Sequence, residues 1–279
     1  MANKQVTVAT IKEMKQKGEP ITMITAYDVA MSRNVNEAGV DMILVGDSLG
    51  NVILGYNSTV PVTMDEMIHH TKAVMRGNST ALVVGDMPFM SYQASIVDAM
   101  YNAARFLKET GCIAVKLEGG SEAVPLVERL TQAGIPVCAH IGLTPQSVNQ
   151  LGGFKVQGKD IAAAQKMIDD AKALEAAGAF ACVLECVPAA LAAKVTAELK
   201  TMATIGIGAG NGCDGQVLVC NDLLGVSTGF CPKFVKKYAN LHDTTVEAVK
   251  EYIADVKART FPAPEHTFKI DDAVLEKLY

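Results

Sequence analysis

Short apolar runs alternate with longer segments of helical periodicity along most of this chain. The runs are rich in Val, Ile and Leu and are apolar at successive positions, which is typical of parallel strands that helices cover on both faces. Seven runs are predicted to be strands, over 21–27, 42–46, 82–85, 114–117, 136–141, 181–184 and 204–207. An eighth strand is predicted near or shortly after 217–220. The alternation therefore predicts consecutive βα units.

Several segments between the runs begin and end as α-helices do. Thr63 is suited to cap a helix that carries two acidic residues in its first turn and ends at Gly77. Further helices are predicted over 98–109, 121–134 and 160–177. Seven or eight βα units in 279 residues favour a closed (βα)8 barrel, and an open doubly wound sheet is the competing α/β architecture.

The chain is predicted to form one domain, because no linker or shift of composition divides it. Single α/β barrels run to about 250 residues, which suits this length. We expect one (βα)8 barrel domain over 1–279, with an N-terminal helix and a C-terminal extension from about residue 259. Pro262 and Pro264 exclude a continuous helix in that extension, and 271–278 is predicted to be a short helix.

Charge and composition exclude several classes of function. The net charge is −5 and no basic stripe is present, so nucleic acid is not an expected partner. No window of about 18 residues is apolar throughout, so no membrane span or membrane partner is expected. The first residues lack the apolar run of a signal peptide, and the seven cysteines form no Cys-x-x-Cys pair. These features predict a cytoplasmic protein with reduced thiols.

Five of the apolar runs lead into a carboxylate at their carboxyl end: Asp28, Asp47, Asp86, Glu118 and Glu185. Because the carboxyl ends of barrel strands meet at one mouth, these side chains are predicted to lie near one another. The alternative is that each one caps the next helix, although Glu is a poor N-cap. Several like charges at one mouth need a proton or a cation, and oxygen ligands favour a hard cation such as Mg²⁺.

Two other polar residues interrupt the predicted strands. Lys116 stands between Val115 and Leu117, where a buried ammonium needs a charged partner. It could contact the carboxylate of a substrate, form a Schiff base or make a structural ion pair, and the nearby acids favour the first role. His140 is predicted to donate a hydrogen bond to a substrate oxygen, with a structural core histidine as the alternative.

Two glycine-rich segments match phosphate-binding patterns incompletely. The segment 153–159 is followed by Asp160 where a P-loop requires Ser or Thr, and it does not directly follow a predicted strand. The segment 210–215 has the dinucleotide pattern of glycines but lacks a later acidic residue to bind a ribose. Both segments are predicted to be mobile loops instead.

Seven segments resemble, in the same order, those of the ketopantoate hydroxymethyltransferase family. They are VGDSLG (45–50), GDMPF (85–89), VKLEGG (115–120), HIGLTPQSVN (140–149), GGFKVQG (152–158), LECVP (184–188) and IGIGAG with DGQ (205–216). The resemblance extends over about residues 10–268. It implies a (βα)8 barrel related to the phosphoenolpyruvate mutase and isocitrate lyase group.

The resemblance also implies an activity. Members of the family transfer a hydroxymethyl group from 5,10-methylenetetrahydrofolate to 3-methyl-2-oxobutanoate, through an enolate that Mg²⁺ stabilises. The product is ketopantoate (2-dehydropantoate), on the route to pantothenate and coenzyme A. A homodecamer in the cytoplasm is implied as well.

Roles follow by motif from the same resemblance. Asp47 and Asp86 are implied to bind both metal and substrate, and Glu118 to serve the metal directly or through water. Ser48 and Lys116 are implied to contact the oxoacid. The catalytic base that removes a proton from the substrate is implied to be Glu185.

Three other functions stay open at this point. The first is a Mg²⁺-dependent oxoacid C–C lyase of the same barrel group, which would use no folate. The second is a Schiff-base aldolase that uses Lys116, and the third is an oxoacid-binding protein without catalysis. An intact Glu185 argues against the third, because a pure binding site has no need of a base.

Overall fold

A computed structural model of the protein describes residues 5–229 and 231–278. Within these residues, parallel strands close into a barrel in which each strand pairs with the next along the chain and β8 pairs with β1. The strands are β1 (Ile21–Thr25), β2 (Met42–Val45), β3 (Leu82–Asp86), β4 (Ala114–Glu118), β5 (Val137–Gly142), β6 (Ala181–Glu185), β7 (Ala203–Ile207) and β8 (Gly215–Leu218). The predicted barrel is confirmed, and the open sheet is wrong.

The longer helices between β1 and β7 bury residues against the outside of the barrel. The α-helices of the described residues follow most of the strands. They are α1 (Val8–Lys17), α2 (Val29–Glu37), α3 (Leu49–Val52), α4 (Met64–Gly77), α5 (Ile96–Arg105), α6 (Val124–Gln132), α7 (Val148–Leu151), α8 (Ile161–Ala176), α9 (Ala189–Glu198), α10 (Cys220–Leu223), α11 (Leu241–Ala258) and α12 (Asp272–Leu275). In the part of the chain that the structure describes, no helix has the length and apolar character that a membrane span requires.

The predicted helix ends are confirmed in part. Thr63 caps α4 as expected: its hydroxyl accepts the backbone N–H of Glu66, whose carboxylate accepts that of Thr63 in return. The helix predicted from residue 98 begins two residues earlier, at Ile96, because the hydroxyl of Ser95 accepts the N–H of Asp98 and caps α5. Its last turn is a π-helix, Phe106–Thr110.

The eighth strand also begins before its predicted position. β8 starts at Gly215, so the last glycine of the dinucleotide-like pattern belongs to the sheet and not to a loop. A Cβ atom at this position would lie 2.4 Å from the carbonyl oxygen of Ile21, so only glycine allows β8 to approach β1 this closely.

Strand residues alternate between an apolar cluster inside the barrel and one between the sheet and the helices. Leu82 and Val84 of β3 belong to the interior cluster, as does Val183 of β6. Because side chains of a strand alternate with a period of two, the next interior positions are Asp86 and Glu185. The apolar interior therefore ends in charged side chains at the carboxyl ends of the strands.

An ion pair closes the opposite, amino-terminal end of the barrel. Nζ of Lys15 in α1 lies 2.8 Å from Oδ2 of Asp214, and both side chains are largely buried. The same carboxylate accepts the backbone N–H of Thr204 at 2.8 Å. These contacts hold α1 against the beginnings of β7 and β8.

Candidate active site

Polar side chains gather where strands β2 to β5 end. Asp86, Lys116, Glu118 and His140 occupy interior strand positions, and Asp47 stands in the turn after β2. The register places Asp86 level with Lys116, and Glu118 level with His140. All five are buried. The structure thus brings together five of the residues that the sequence singled out.

Glu185 ends β6 and is the most accessible carboxylate of the group, with 17% of its side chain exposed. Gly142 of β5 has a φ of 94°, and a Cβ there would lie 2.3 Å from the carbonyl oxygen of Glu185. Cys186 also has a left-handed backbone, with a φ of 50°, which is uncommon for a residue other than glycine. Backbone hydrogen bonds from Cys186 to Ile207 and from Gln157 to Cys186 hold this peptide in place. The turn after Glu185 is therefore fixed.

Asp28 does not belong to the site, and its prediction is wrong. β1 ends at Thr25, so Asp28 lies beyond the strand and caps α2 by accepting the N–H of Met31 at 2.8 Å. Its side chain is exposed. The helix-cap alternative holds for this carboxylate, and four of the five remain at the mouth.

Lys116 is held as an ammonium ion between acids. Its Nζ donates to both oxygens of Asp86 at 2.8 Å. Burial alone would lower the pKa of Lys116, but the charges of Asp86, Glu118 and Asp47 outweigh burial and raise it. A Schiff-base lysine needs a free amine, so this environment disfavours the aldolase function.

The surroundings of Asp47 and Glu118 disfavour the ionised form of both carboxyl groups. Burial, together with the charge of Asp86, raises the pKa of Asp47 to about 7. Burial also raises the pKa of Glu118 well above its usual range, against the opposing effect of Lys116. Oε1 of Glu118 is buried and has no hydrogen-bond partner. Buried oxygens of this kind usually bind a donor, a water or an ion.

His140 stands between two carboxylates. Its Nδ1 is 3.6 Å from Oε1 of Glu118, and its Nε2 is 3.4 Å from Oε2 of Glu185. Neither nitrogen makes a hydrogen bond. Burial, aided by the charge of Lys116, lowers the pKa of His140. A neutral imidazole has one N–H to donate, so His140 can offer a hydrogen bond to a ligand that enters the mouth.

Ser48 begins the short helix α3 at the edge of the same site. Its hydroxyl makes no capping bond and instead lies 2.9 Å from the hydroxyl of the buried Tyr27. Ser48 is half-buried, and its hydroxyl contacts the interior through Tyr27.

The strand pattern did not indicate Gln146 and Tyr92, which also belong to the site. Gln146 is buried, and its amide nitrogen donates to Oδ2 of Asp47 at 2.9 Å. The hydroxyl of Tyr92 donates to the amide oxygen of Gln146 at 2.8 Å. Both side chains are uncharged and lie outside the strands, so a search for charged residues at strand ends does not find them. The only signal for Gln146 is its place in the segment 140–149.

The donor set suits a hard cation. No three acidic, histidine or cysteine side chains in 5–229 and 231–278 stand ready around a single point. Asp86 and Asp47 instead accept hydrogen bonds from Lys116 and Gln146. Mg²⁺ keeps several waters and needs only one or two carboxylates besides substrate oxygens, so it does not require such a cluster. The excess of buried carboxylates and the unpaired oxygen of Glu118 fit a divalent cation.

The family model described as ketopantoate hydroxymethyltransferase matches residues 5–264. The chain belongs to the ketopantoate hydroxymethyltransferase family. It is 60% identical over 275 residues to a 3-methyl-2-oxobutanoate hydroxymethyltransferase of Carboxydothermus hydrogenoformans, with 99% of each chain covered. It is 61% identical over 265 residues to the protein of that name from Syntrophus aciditrophicus, with 95% of this chain and 97% of the relative covered.

Solved structures support the same fold group at much lower identity. Phosphoenolpyruvate phosphomutase from Streptomyces platensis matches with a TM-score of 0.60 and 15% identity, covering 96% of this chain and 94% of that one. A 2,3-dimethylmalate lyase, titled a member of the PEP mutase/isocitrate lyase superfamily, matches with a TM-score of 0.55 and 13% identity, covering 97% and 93%. The predicted barrel thus has the same fold as these proteins.

The segments that resemble the ketopantoate hydroxymethyltransferase family lie at both ends of the barrel. Asp47, Asp86 and Lys116 come from three of them and meet at the mouth. The segment DGQ (214–216) lies at the other end, where Asp214 binds Lys15. This segment therefore holds α1 against the amino-terminal end of the barrel, away from the mouth.

Proposed function

We propose that this chain transfers a hydroxymethyl group from 5,10-methylenetetrahydrofolate to 3-methyl-2-oxobutanoate, forming ketopantoate for pantothenate and coenzyme A biosynthesis. The observation that carries the proposal is the 60% identity, over 99% of each chain, to a relative named for this hydroxymethyl transfer. The buried group of carboxylates around one lysine supports it, because this chemistry needs a cation site, an anion site and a base.

Mg²⁺ is the proposed cofactor. Asp47 and Asp86 would hold it, and Glu118 would serve it directly or through water. Asp86 can keep its bonds from Lys116 at the same time, because each carboxylate oxygen has two lone-pair sites. When bound, Mg²⁺ would supply a Lewis acid that withdraws electron density from the keto group of the oxoacid.

The remaining residues would bind and orient the oxoacid. The ammonium of Lys116 is the cation nearest to the proposed metal ligands and would hold the negative charge of the substrate. The hydroxyl of Ser48 and the imidazole of His140 would donate hydrogen bonds to its oxygens. These contacts fix the C3–H bond relative to the base.

Glu185 is the proposed base that removes the C3 proton next to the keto group. It is the most accessible of the four carboxylates at the mouth, so it can reach a carbon atom of a bound substrate. The fixed turn at Cys186 sets its position. The C3 carbanion, delocalised into the keto group, then forms a carbon–carbon bond to the one-carbon unit of the folate. Both bonds from that carbon to the folate nitrogens break, water supplies the hydroxyl of the product, and the C3 proton together with a proton of water goes to the nitrogens of the departing tetrahydrofolate.

Proton NMR of 3-methyl-2-oxobutanoate in D₂O tests the half-reaction that precedes folate. With purified protein and Mg²⁺ but without folate, we expect the C3 proton signal to disappear by exchange. With EDTA in place of Mg²⁺, we expect the signal to persist, because the C3–H bond is then no longer acidified. Exchange that survives EDTA would contradict the cation requirement and favour a Schiff base at Lys116. Cleavage of the oxoacid without folate would instead favour the C–C lyase.

We further propose that copies of the chain assemble into a homodecamer through α11. This helix has no buried residue, and Val249, Tyr252, Ile253 and Val256 form an exposed apolar stripe along one of its faces. An apolar groove of about 830 Å³ lies beside β1 and β8, where the short α10 leaves the barrel uncovered. A second copy can bury both surfaces.

Sedimentation velocity tests this role of α11. We expect Ile253→Lys to shift the protein to smaller species, because a charge in the apolar stripe is costly to bury. Glu251→Lys places the same side chain on another face of α11 and should sediment as the wild type does. A monomeric wild type, or an unchanged Ile253→Lys variant, would contradict the proposal.

A cytoplasmic location is proposed as well. All seven cysteines are free, and four of them are buried. Proteins kept in a reducing compartment typically retain such unpaired thiols.

A further inference from the structure

We propose that Gln146 is a positioning residue that selects which oxygen of Asp47 and which oxygen of Glu118 face the cation. Gln146 lies in the 3₁₀ turn Pro145–Ser147, after β5, and only 3% of it is exposed. It binds both carboxylates, one through its side chain and one through its backbone. The inference rests on the proposed Mg²⁺ site and concerns how that site is shaped.

The orientation of the Gln146 amide is determined by its partners. Its nitrogen donates to the backbone oxygen of Met87 at 2.9 Å, and a carbonyl oxygen can only accept. Its oxygen accepts the hydroxyl of Tyr92 at 2.8 Å and the amide nitrogen of Gln93 at 3.1 Å. All four hydrogen-bonding positions of the amide are therefore used, and exchanging its nitrogen and oxygen would place acceptor against acceptor at Met87.

This fixed amide engages one oxygen of Asp47. The second N–H of Gln146 donates to Oδ2 of Asp47 at 2.9 Å. A carboxylate with one oxygen held by a hydrogen bond cannot rotate freely about its Cβ–Cγ bond. Oδ1 of Asp47 receives no hydrogen bond from Gln146 and is therefore the oxygen that is available to a cation.

The backbone of Gln146 engages Glu118 in the same way. Its N–H donates to Oε2 of Glu118 at 3.0 Å, whereas Oε1 is buried without any hydrogen-bond partner. The hydroxyl of Tyr92 accepts the backbone N–H of Glu118 at 3.0 Å and so ties the amide of Gln146 to β4. Gln146 thus donates a hydrogen bond to one oxygen of each carboxylate, and the other oxygen of each remains available to a ligand.

Groups that orient metal ligands contribute to metal affinity without touching the metal. Loss of such a partner typically weakens metal binding or activity about 10- to 100-fold. Gln146 has the geometry of such a partner for both Asp47 and Glu118. It also adds no charge to a site that already holds an excess of carboxylates, which a glutamate at this position would do.

Calorimetric titration of Mg²⁺ alone into the metal-free full chain tests the inference. Gln146→Met keeps the length of the side chain but removes its hydrogen bonds, and we expect Mg²⁺ to bind about 10- to 100-fold more weakly. Gln165→Met is the matched control, because Gln165 is exposed on α8 and its amide nitrogen donates to Asp169, away from the site. We expect its Mg²⁺ affinity to be that of the wild type.

Circular dichroism establishes whether Gln146→Met folds. If it does not, Tyr92→Phe replaces it, since this change removes only the hydroxyl that anchors the amide. We expect Tyr92→Phe to weaken Mg²⁺ binding about fivefold or more, because its hydroxyl both anchors the amide of Gln146 and accepts the backbone N–H of Glu118. Wild-type affinity in a folded Gln146→Met or Tyr92→Phe variant, or an equal loss in Gln165→Met, would overturn the inference and leave the proposed function intact. A wild-type chain that binds no Mg²⁺ would overturn the proposed metal site and this inference with it.

Discussion

Glu185→Gln is expected to slow exchange of the C3 proton of 3-methyl-2-oxobutanoate by about two to four orders of magnitude. The amide has nearly the shape of the carboxylate but cannot accept a proton from carbon. The side chain lies at the accessible edge of the site and holds no ion pair with Lys116, so its replacement should leave the fold and the affinity for the oxoacid unchanged. Proton NMR in D₂O with Mg²⁺ measures the rate, and calorimetry measures binding.

Glu122→Gln provides the matched control for this prediction. Glu122 also follows a barrel strand at the mouth, but its exposed carboxylate accepts the N–H of Gly120 and does not approach the site. The same change of carboxylate to amide should therefore leave exchange at the wild-type rate. If Glu185→Gln retained fast exchange, another group would be the base.

Asp47→Asn is expected to weaken Mg²⁺ binding by about 100-fold or more, because affinity for a hard cation depends on the charge of its oxygen ligands. The metal-free variant should be at least as stable as the wild type, since it loses one of several like charges that are buried together. Calorimetry measures the affinity, and denaturant titration of the metal-free protein measures the stability. Loss of Mg²⁺ affinity together with retained stability would show that Asp47 is a metal ligand and not a structural residue.

Asp28→Asn tests whether a carboxylate near a strand end affects Mg²⁺ binding by its position alone. Asp28 caps α2 outside the site, and asparagine is an equally good cap. We expect this variant to bind Mg²⁺ as the wild type does. If Asp28→Asn lost affinity as Asp47→Asn does, general charge at the mouth, and not coordination, would account for Mg²⁺ binding.

The difference between Asp28 and Asp86 explains how far the sequence could predict the site. Both residues end an apolar run, and the run itself does not reveal where hydrogen bonding to the neighbouring strand stops. Asp86 is the last residue of β3, whereas β1 stops at Thr25 and leaves Asp28 free to cap a helix. Periodicity therefore predicts the strands and their inward ends, but the last two residues of each run depend on strand pairing.

Gln146 marks the other limit of sequence reasoning. Charge within an apolar strand is costly and stands out, as Lys116 does, because its burial requires a partner. A neutral amide in a loop has no such signature. Its importance arises from contacts with residues that are 28, 54 and 99 positions away in the chain, which only the closed barrel brings together.

The ion pair between Lys15 and Asp214 places an anchor of the fold at the amino-terminal end of the barrel. A strand of five residues separates that end from the mouth by about 16 Å. Substitutions in α1 and at the start of β8 are therefore expected to change thermostability without changing the turnover number. Libraries that vary these two segments offer a route to a more durable biocatalyst whose substrate range stays that of the parent.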